Sequence, residues 1–212
     1  MSLQQVFDDL LAAYGPQHWW PGDTPFEVMV GAVLTQNTAW GNVEKAIANL
    51  QKNDALSAEA IVACEHDRLA AWLKPSGYFN IKATRLQNFC RWYLAQGGFE
   101  ALSQRPTDEL RHGLLSVNGV GPETADDMLL YAFERPVFVI DAYTRRLFSR
   151  LGLLDGKLGY ETLRGHFETA LPADVALFNE YHALIVRHAK QACRKRPLCE
   201  ACPLAVDCMA AG

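Results

Sequence analysis

The sequence predicts an all-α protein, and three observations carry that reading. Apolar residues recur at helical spacing almost everywhere, strand-like alternation is nearly absent, and Asn118-Gly119-Val120-Gly121-Pro122 sets a tight turn between two helical runs. With 212 residues, 50% of them hydrophobic, the chain can build a sizeable core in one large or two small domains. No apolar run approaches a membrane span and no secretory leader is visible, so a soluble, cytoplasmic protein without membrane contact is expected.

The elements follow in order. Leu3, Phe7, Leu10, Leu11 and Tyr14 mark a first helix, and Trp19-Trp20-Pro21 follows it as a loop before a Pro-Gly-Asp turn. In Asp23-Thr24-Pro25 a capping residue precedes a proline, the signature of a helix start, and Phe26, Val30, Val33 and Leu34 continue that helix. Gln36-Asn37-Thr38-Ala39 is a polar break, which leaves Trp40 as a loop aromatic. Ser76-Gly77-Tyr78-Phe79-Asn80 reads as a turn, and the helix over 80–96 closes at Gly97-Gly98. Thr107-Asp108 caps the helix that ends at Leu115, and Pro122 opens the next. Val137 to Ile140 is apolar and delivers Asp141 to a helix start; helices over 141–151, 160–171 and 174–193 complete the set.

Two stretches carry chemistry. In the Gly-Val-Gly turn, glycines tolerate positive φ and let a phosphate approach backbone N–H groups at the positive end of a helix dipole. Taken alone, such a turn is equally a plain helix–helix connection. Net charge is −4, which argues against nucleic acid, but the distribution does not. Arg145, Arg146 and Arg150 follow Asp141, and Arg187, His188, Lys190, Arg194, Lys195 and Arg196 crowd one segment, so a local basic face is available. The second stretch is Cys193-x5-Cys199-x2-Cys202-x5-Cys208. Four thiolates hold zinc or a [4Fe-4S] cluster; one close pair flanked by two single cysteines suits the cubane better than paired zinc motifs. Cys64 and Cys90, in helical apolar settings, read as core residues.

The order of hairpin, apolar segment, Asp141 and four cysteines resembles the helix-hairpin-helix DNA glycosylases of the endonuclease III superfamily. Trp19-Trp20-Pro21, together with Leu34-Thr35-Gln36-Asn37-Thr38 and Trp40, is most similar to the bacterial 3-methyladenine glycosylase III-like branch. The resemblance implies two helical lobes, 21–134 with the hairpin and 1–20 with 135–212 holding the cluster loop at 193–208, and an active site in the cleft between them. It implies a base-excision-repair enzyme that works as a monomer on double-stranded DNA containing a damaged base, associated with the nucleoid.

Residue by residue, the resemblance makes Trp19, Trp20, Pro21 and Trp40 the pocket for an extruded base, where electron-rich rings favour a cationic alkylated purine. Gln36 fills the gap left in the duplex and Tyr78 wedges the opposite strand. Asn118, Gly119, Val120, Gly121 and Thr124 contact DNA. Cys193, Cys199, Cys202 and Cys208 ligate the [4Fe-4S] cluster, although the first gap holds five residues where the superfamily has six. Asp141 is the catalytic carboxylate: hydrolysing an N-glycosidic bond builds positive charge on the sugar, which a carboxylate stabilises while it directs water. Strand-cleaving relatives place a nucleophilic lysine two positions after Gly-Val-Gly. Here that position is Glu123, no lysine occurs between Lys82 and Lys157, and a monofunctional glycosylase with weak or absent lyase activity follows. Glu123 itself is a candidate second carboxylate. Competing readings are a glycosylase for oxidised, deaminated or mismatched bases, a non-catalytic damage-binding module, and a zinc-bound helical scaffold.

Overall fold

The computed structural model describes residues 1–19 and 22–211, and among these every regular element is helical. Two compact units emerge: Met1–Trp19 with Pro136–Gly212, and Trp20–Arg135.

The central unit runs from α2 to α9: α2 Pro25–Leu34, α3 Trp40–Lys52, α4 Ala58–Ala63, α5 His66–Leu73, α6 Phe79–Ala95, α7 Gly98–Ser103, α8 Thr107–Leu115 and α9 Pro122–Asp127. Thr24 starts α2 by accepting a hydrogen bond from the Glu27 amide at 3.1 Å. Every residue from Val28 to Leu34 is buried; such an all-round apolar helix belongs at the centre, and α2 packs against α3, α6 and α9. Helix α6 buries Leu86, Phe89 and Cys90 against α4 and α5. Its N-cap is Tyr78, in the left-handed region at φ 45°. After α9 the chain widens into a π-helical stretch, Met128–Ala132, whose residues are all buried and which lies along α2.

At three places the structure departs from the local signals of the sequence. Trp40 is not a loop residue: it is the first residue of α3, and its ring lies so close to Gly31 of α2 that a Cβ there would sit 3.0 Å from Trp40 Cη2. Thr107 does not cap α8, because the rigid, extended Pro106 already occupies the N-cap position with no side-chain bond. In the hairpin only Gly119 has positive φ, 103°. Gly121 is extended at φ −93°.

The other unit contains α1 Leu3–Tyr14, α10 Ala142–Arg150, α11 Tyr160–Ala170 and α12 Val175–Gln191, followed by the cysteine loop. Its core is aromatic. Phe138 stacks on Phe167 with centroids 4.1 Å apart, and the Tyr181 ring meets Phe7, Phe138, Phe148 and Phe167 edge-on. The Tyr181 hydroxyl donates to Leu3 O at 2.6 Å, which ties α12 to the start of α1.

Candidate functional site

In the central unit the hairpin turn, Gln36 and Arg85 line one open groove, together with Thr35, Asn37, Glu123, Thr124 and Asp127. The turn is closed by Val117 N–H donating to Leu114 O and Val120 N–H donating to Val117 O, at 3.1 and 3.0 Å. Behind it Arg111 of α8 forms a two-pronged pair with Asp126 of α9, at 2.7 and 3.1 Å, and Asp126 is fully buried. That pair fixes the two hairpin helices against each other. Gly119 is needed twice over: beside its positive φ, a Cβ there would fall 2.3 Å from Arg85 Cγ. At Gly121, which is extended, a Cβ would meet nothing within 4 Å, so neither the backbone nor the packing requires glycine there.

Gln36 is bound to this turn. Its Nε2 donates to Gly119 O at 3.1 Å and to Thr124 Oγ1 at 2.9 Å, and Arg85 donates to its Oε1. Thr124 is buried and supports Gln36; Val120 is buried as well, while Asn118 and Glu123 are exposed. Tyr78 stands on a separate turn, 68% exposed and with its backbone in the left-handed region that a bulky residue rarely adopts. Among the residues lining the groove, Glu123 and Asp127 outweigh the charge of Arg85.

In the other unit Asp141 is the N-cap of α10. Its Oδ1 accepts from Thr144 N–H at 2.7 Å and from Thr144 Oγ1 at 2.8 Å. Its Oδ2 faces Nε2 of His182, on α12, at 3.6 Å. Burial opposes ionisation, but the His182 contact and the Thr144 bonds outweigh it and hold the carboxyl below its ordinary value. A charged carboxylate on a nearly closed, rigid mount follows, with 13% of its side chain exposed. The same His182 carries the Trp19 ring at 5.8 Å between centroids. Trp20 and Pro21 lie outside the described residues.

Cys193, Cys199, Cys202 and Cys208 line one small hollow, walled by Leu147, Leu151, Leu204 and His188. Among the described residues no three His, Cys, Asp or Glu side chains gather around a single ion position. Four thiols lining one hollow are a donor set that either zinc or an iron–sulfur cluster takes. The surrounding donors suit anionic thiolates: Arg150 donates to Cys193 Sγ at 3.3 Å, and His188 Nε2 lies 3.8 Å from Cys202 Sγ, its Nδ1 held by the Tyr14 hydroxyl at 2.8 Å. Arg150 also grips the carbonyls of Arg194 and Lys195, which fixes the basic loop between the first two cysteines. Of the other two thiols, Cys90 is buried and Cys64 half-buried.

Lys82, Arg85 and His182 also stand at these sites, and no motif in the sequence marks them. Two of them left a trace: Lys82 falls on the buried face of α6 with Leu86, Phe89 and Cys90, and His182 on that of α12 with Phe178 and Ile185. A polar side chain in an apolar stripe needs a partner.

Residues 30–173 match the family described as HhH-GPD superfamily base excision DNA repair protein. A Methanocaldococcus jannaschii protein, provisionally named a DNA repair glycosylase, is 46% identical over 98% of this chain and 96% of its own length. The H. pylori 3-methyladenine DNA glycosylase, solved bound to 1,N6-ethenoadenine, superposes with a TM-score of 0.77 at 29% identity, covering 90% of this chain and 98% of that one. An endonuclease III in non-covalent complex with DNA shares the fold, with a TM-score of 0.86 at 21% identity over 100% and 97% of the two chains. Among the described residues no helix is long and apolar enough to cross a membrane. The chain belongs to the HhH-GPD superfamily, the helix-hairpin-helix DNA glycosylases of base excision repair to which endonuclease III also belongs.

Proposed function

We propose that this protein is a monofunctional DNA glycosylase that removes an alkylated purine, such as 3-methyladenine, from duplex DNA. The observation that carries the reading is Asp141, an ionised, nearly buried carboxylate fixed at a helix start by Thr144 and His182. As the bond from C1′ to the base nitrogen breaks, its electron pair leaves with the base. An alkylated purine starts with a positive charge and departs neutral, so no acid is needed to protonate it. Asp141 stabilises the cationic sugar that remains and accepts a proton from the water whose oxygen bonds to C1′.

The surrounding residues take the remaining roles. The Asn118–Gly121 turn, whose Val120 N–H already closes on Val117 O, offers its remaining N–H groups to a phosphate, with Gln36 beside them to enter the duplex and Tyr78 to wedge it. Trp19, Trp20, Pro21 and Trp40 are the residues we assign to holding the extruded base, and the contact of Trp19 with the histidine that faces Asp141 supports that role for Trp19. The likeness to the 3-methyladenine enzyme of H. pylori supports the lesion class. Glu123 at the hairpin position where lyases carry lysine supports hydrolysis without strand cleavage. Cys193, Cys199, Cys202 and Cys208 would hold a [4Fe-4S] cluster whose chemistry is structural, stapling the basic loop of residues 194–196.

The test is incubation with methylated duplex DNA, scoring free base and strand breaks before and after hot alkali. Release of methylpurine with breaks only after alkali is expected. No release of methylpurine, with release of uracil, mismatched thymine or an oxidised pyrimidine instead, would transfer the enzyme to another lesion class.

A further inference from the structure

Lys82 is 1% exposed, an uncommon fate for a lysine, and takes no part in the chemistry above. Its Nζ donates to Leu34 O at 2.8 Å and to Ser76 O at 2.6 Å. Leu34 is the last residue of α2, and Gln36 follows two positions on; Ser76 ends a 3-10 turn, and Tyr78 follows two positions on. Both carbonyls lie at the C-terminal end of a helical segment, where no intrahelical donor remains and a cation is favoured. One ammonium therefore closes two chain ends, each carrying a side chain assigned to the duplex. One turn further along α6, Arg85 grips the Gln36 side chain.

We propose that Lys82 is the positioning residue that locks the Gln36 segment and the Tyr78 segment in one register, so that gap-filling and wedging occur as a single event. The proposal rests on the reading of Gln36 and Tyr78 as duplex-invading residues. Lys suits the task because it is compact and offers three N–H donors, whereas the planar guanidinium of Arg has no matching bidentate acceptor here. Burial, then the neighbouring Arg85, lowers Lys82 to about 8, so the ammonium is still largely charged at neutral pH.

The experiment compares Lys82→Met, Gln36→Ala and Tyr78→Ala with wild type in single-turnover base release. The same lesion is offered in a fully paired duplex and in an unpaired bulge, where little extrusion work remains. For Lys82→Met we expect a loss of about tenfold or more on the paired substrate, the scale of a catalytic geometry displaced by a fraction of an ångström, and about twofold or less on the bulge. Equal loss on both substrates, or none on either, would overturn the positioning role. If Gln36→Ala and Tyr78→Ala do shift the paired-to-bulge ratio while Lys82→Met does not, only the Lys82 proposal fails. If none of the three shifts it, the reading of the two invading residues fails and takes this proposal with it. Thermal melting checks that Lys82→Met is folded. Should it not fold, Lys82→Gln, which keeps two N–H donors without charge, is read by the same ratio and the same outcomes.

Discussion

Replacing Asp141 with Asn separates its structural work from its chemical work. Oδ1 of the carboxylate accepts both Thr144 bonds, at 2.7 and 2.8 Å, and caps α10. An Asn side chain has one carbonyl oxygen to take over that place, and Asn and Asp rank together as N-caps, so the cap itself should change by only a few tenths of a kcal/mol, apart from the ionised contact with His182 that the variant gives up. What disappears is the charge. A unit charge about 4 Å from a developing sugar cation, at an effective dielectric of about 20, contributes about 4 kcal/mol. That corresponds to a rate loss of about a thousandfold. Single-turnover release of methylpurine from duplex DNA reads the loss, and thermal melting of the same preparation reads the cap. Asp141→Ala should show the rate loss together with a cap loss of about 1 kcal/mol. Base release by Asp141→Asn within about threefold of wild type would falsify the assignment, because a charge that close is worth far more than the 0.65 kcal/mol or so that threefold represents.

Other outcomes follow from the same structure. Arg111→Met removes the two-pronged partner of the buried Asp126 carboxylate, and chemical denaturation should show a loss of about 3–5 kcal/mol; a loss under about 1 kcal/mol would mean that the pair does not hold α8 to α9. Wild-type protein trapped with borohydride on an abasic duplex should give no covalent adduct through the hairpin, where Glu123 stands; an adduct mapped to that turn would remove the argument against lyase chemistry. Asp141 is depressed in the folded state, so its ionised contacts stabilise fully above the unfolded value near 4 and cease to do so as pH falls through the lower folded value. Melts from pH 7 downward should show wild type holding its margin over Asp141→Asn until about pH 4 and losing it below. Purified protein should carry iron and acid-labile sulfide in equal amounts, and Cys202→Ser should lose both; a colourless wild type carrying zinc would reverse the cluster assignment.

Much of the fold was legible because its signals are local. Helix starts announce themselves within one turn, as Thr24 before Pro25 and Asp141 before α10 do, and the apolar stripe of each helix is written in its own spacing. Even so, neighbours decided details. Trp40 looked like a loop residue because the polar break before it is local, while the Gly31 surface that receives its ring belongs to another helix. Thr107 resembled a cap until Pro106 occupied that position.

By itself, the sequence determined the helical class, the hairpin turn, the carboxylate at a helix start and the four-thiol spacing, since each depends on residues within a few positions of one another. The tertiary structure alone decided what those features meet. Gln36 reaches Gly119 across 83 positions, Lys82 reaches back across 48 to Leu34, and His182 comes from α12 to face Asp141. A chain records such partners only as polar residues on apolar faces. Which carbonyl or carboxylate satisfies them is fixed when the helices pack and water is excluded, because a buried donor must then find its acceptor inside the protein.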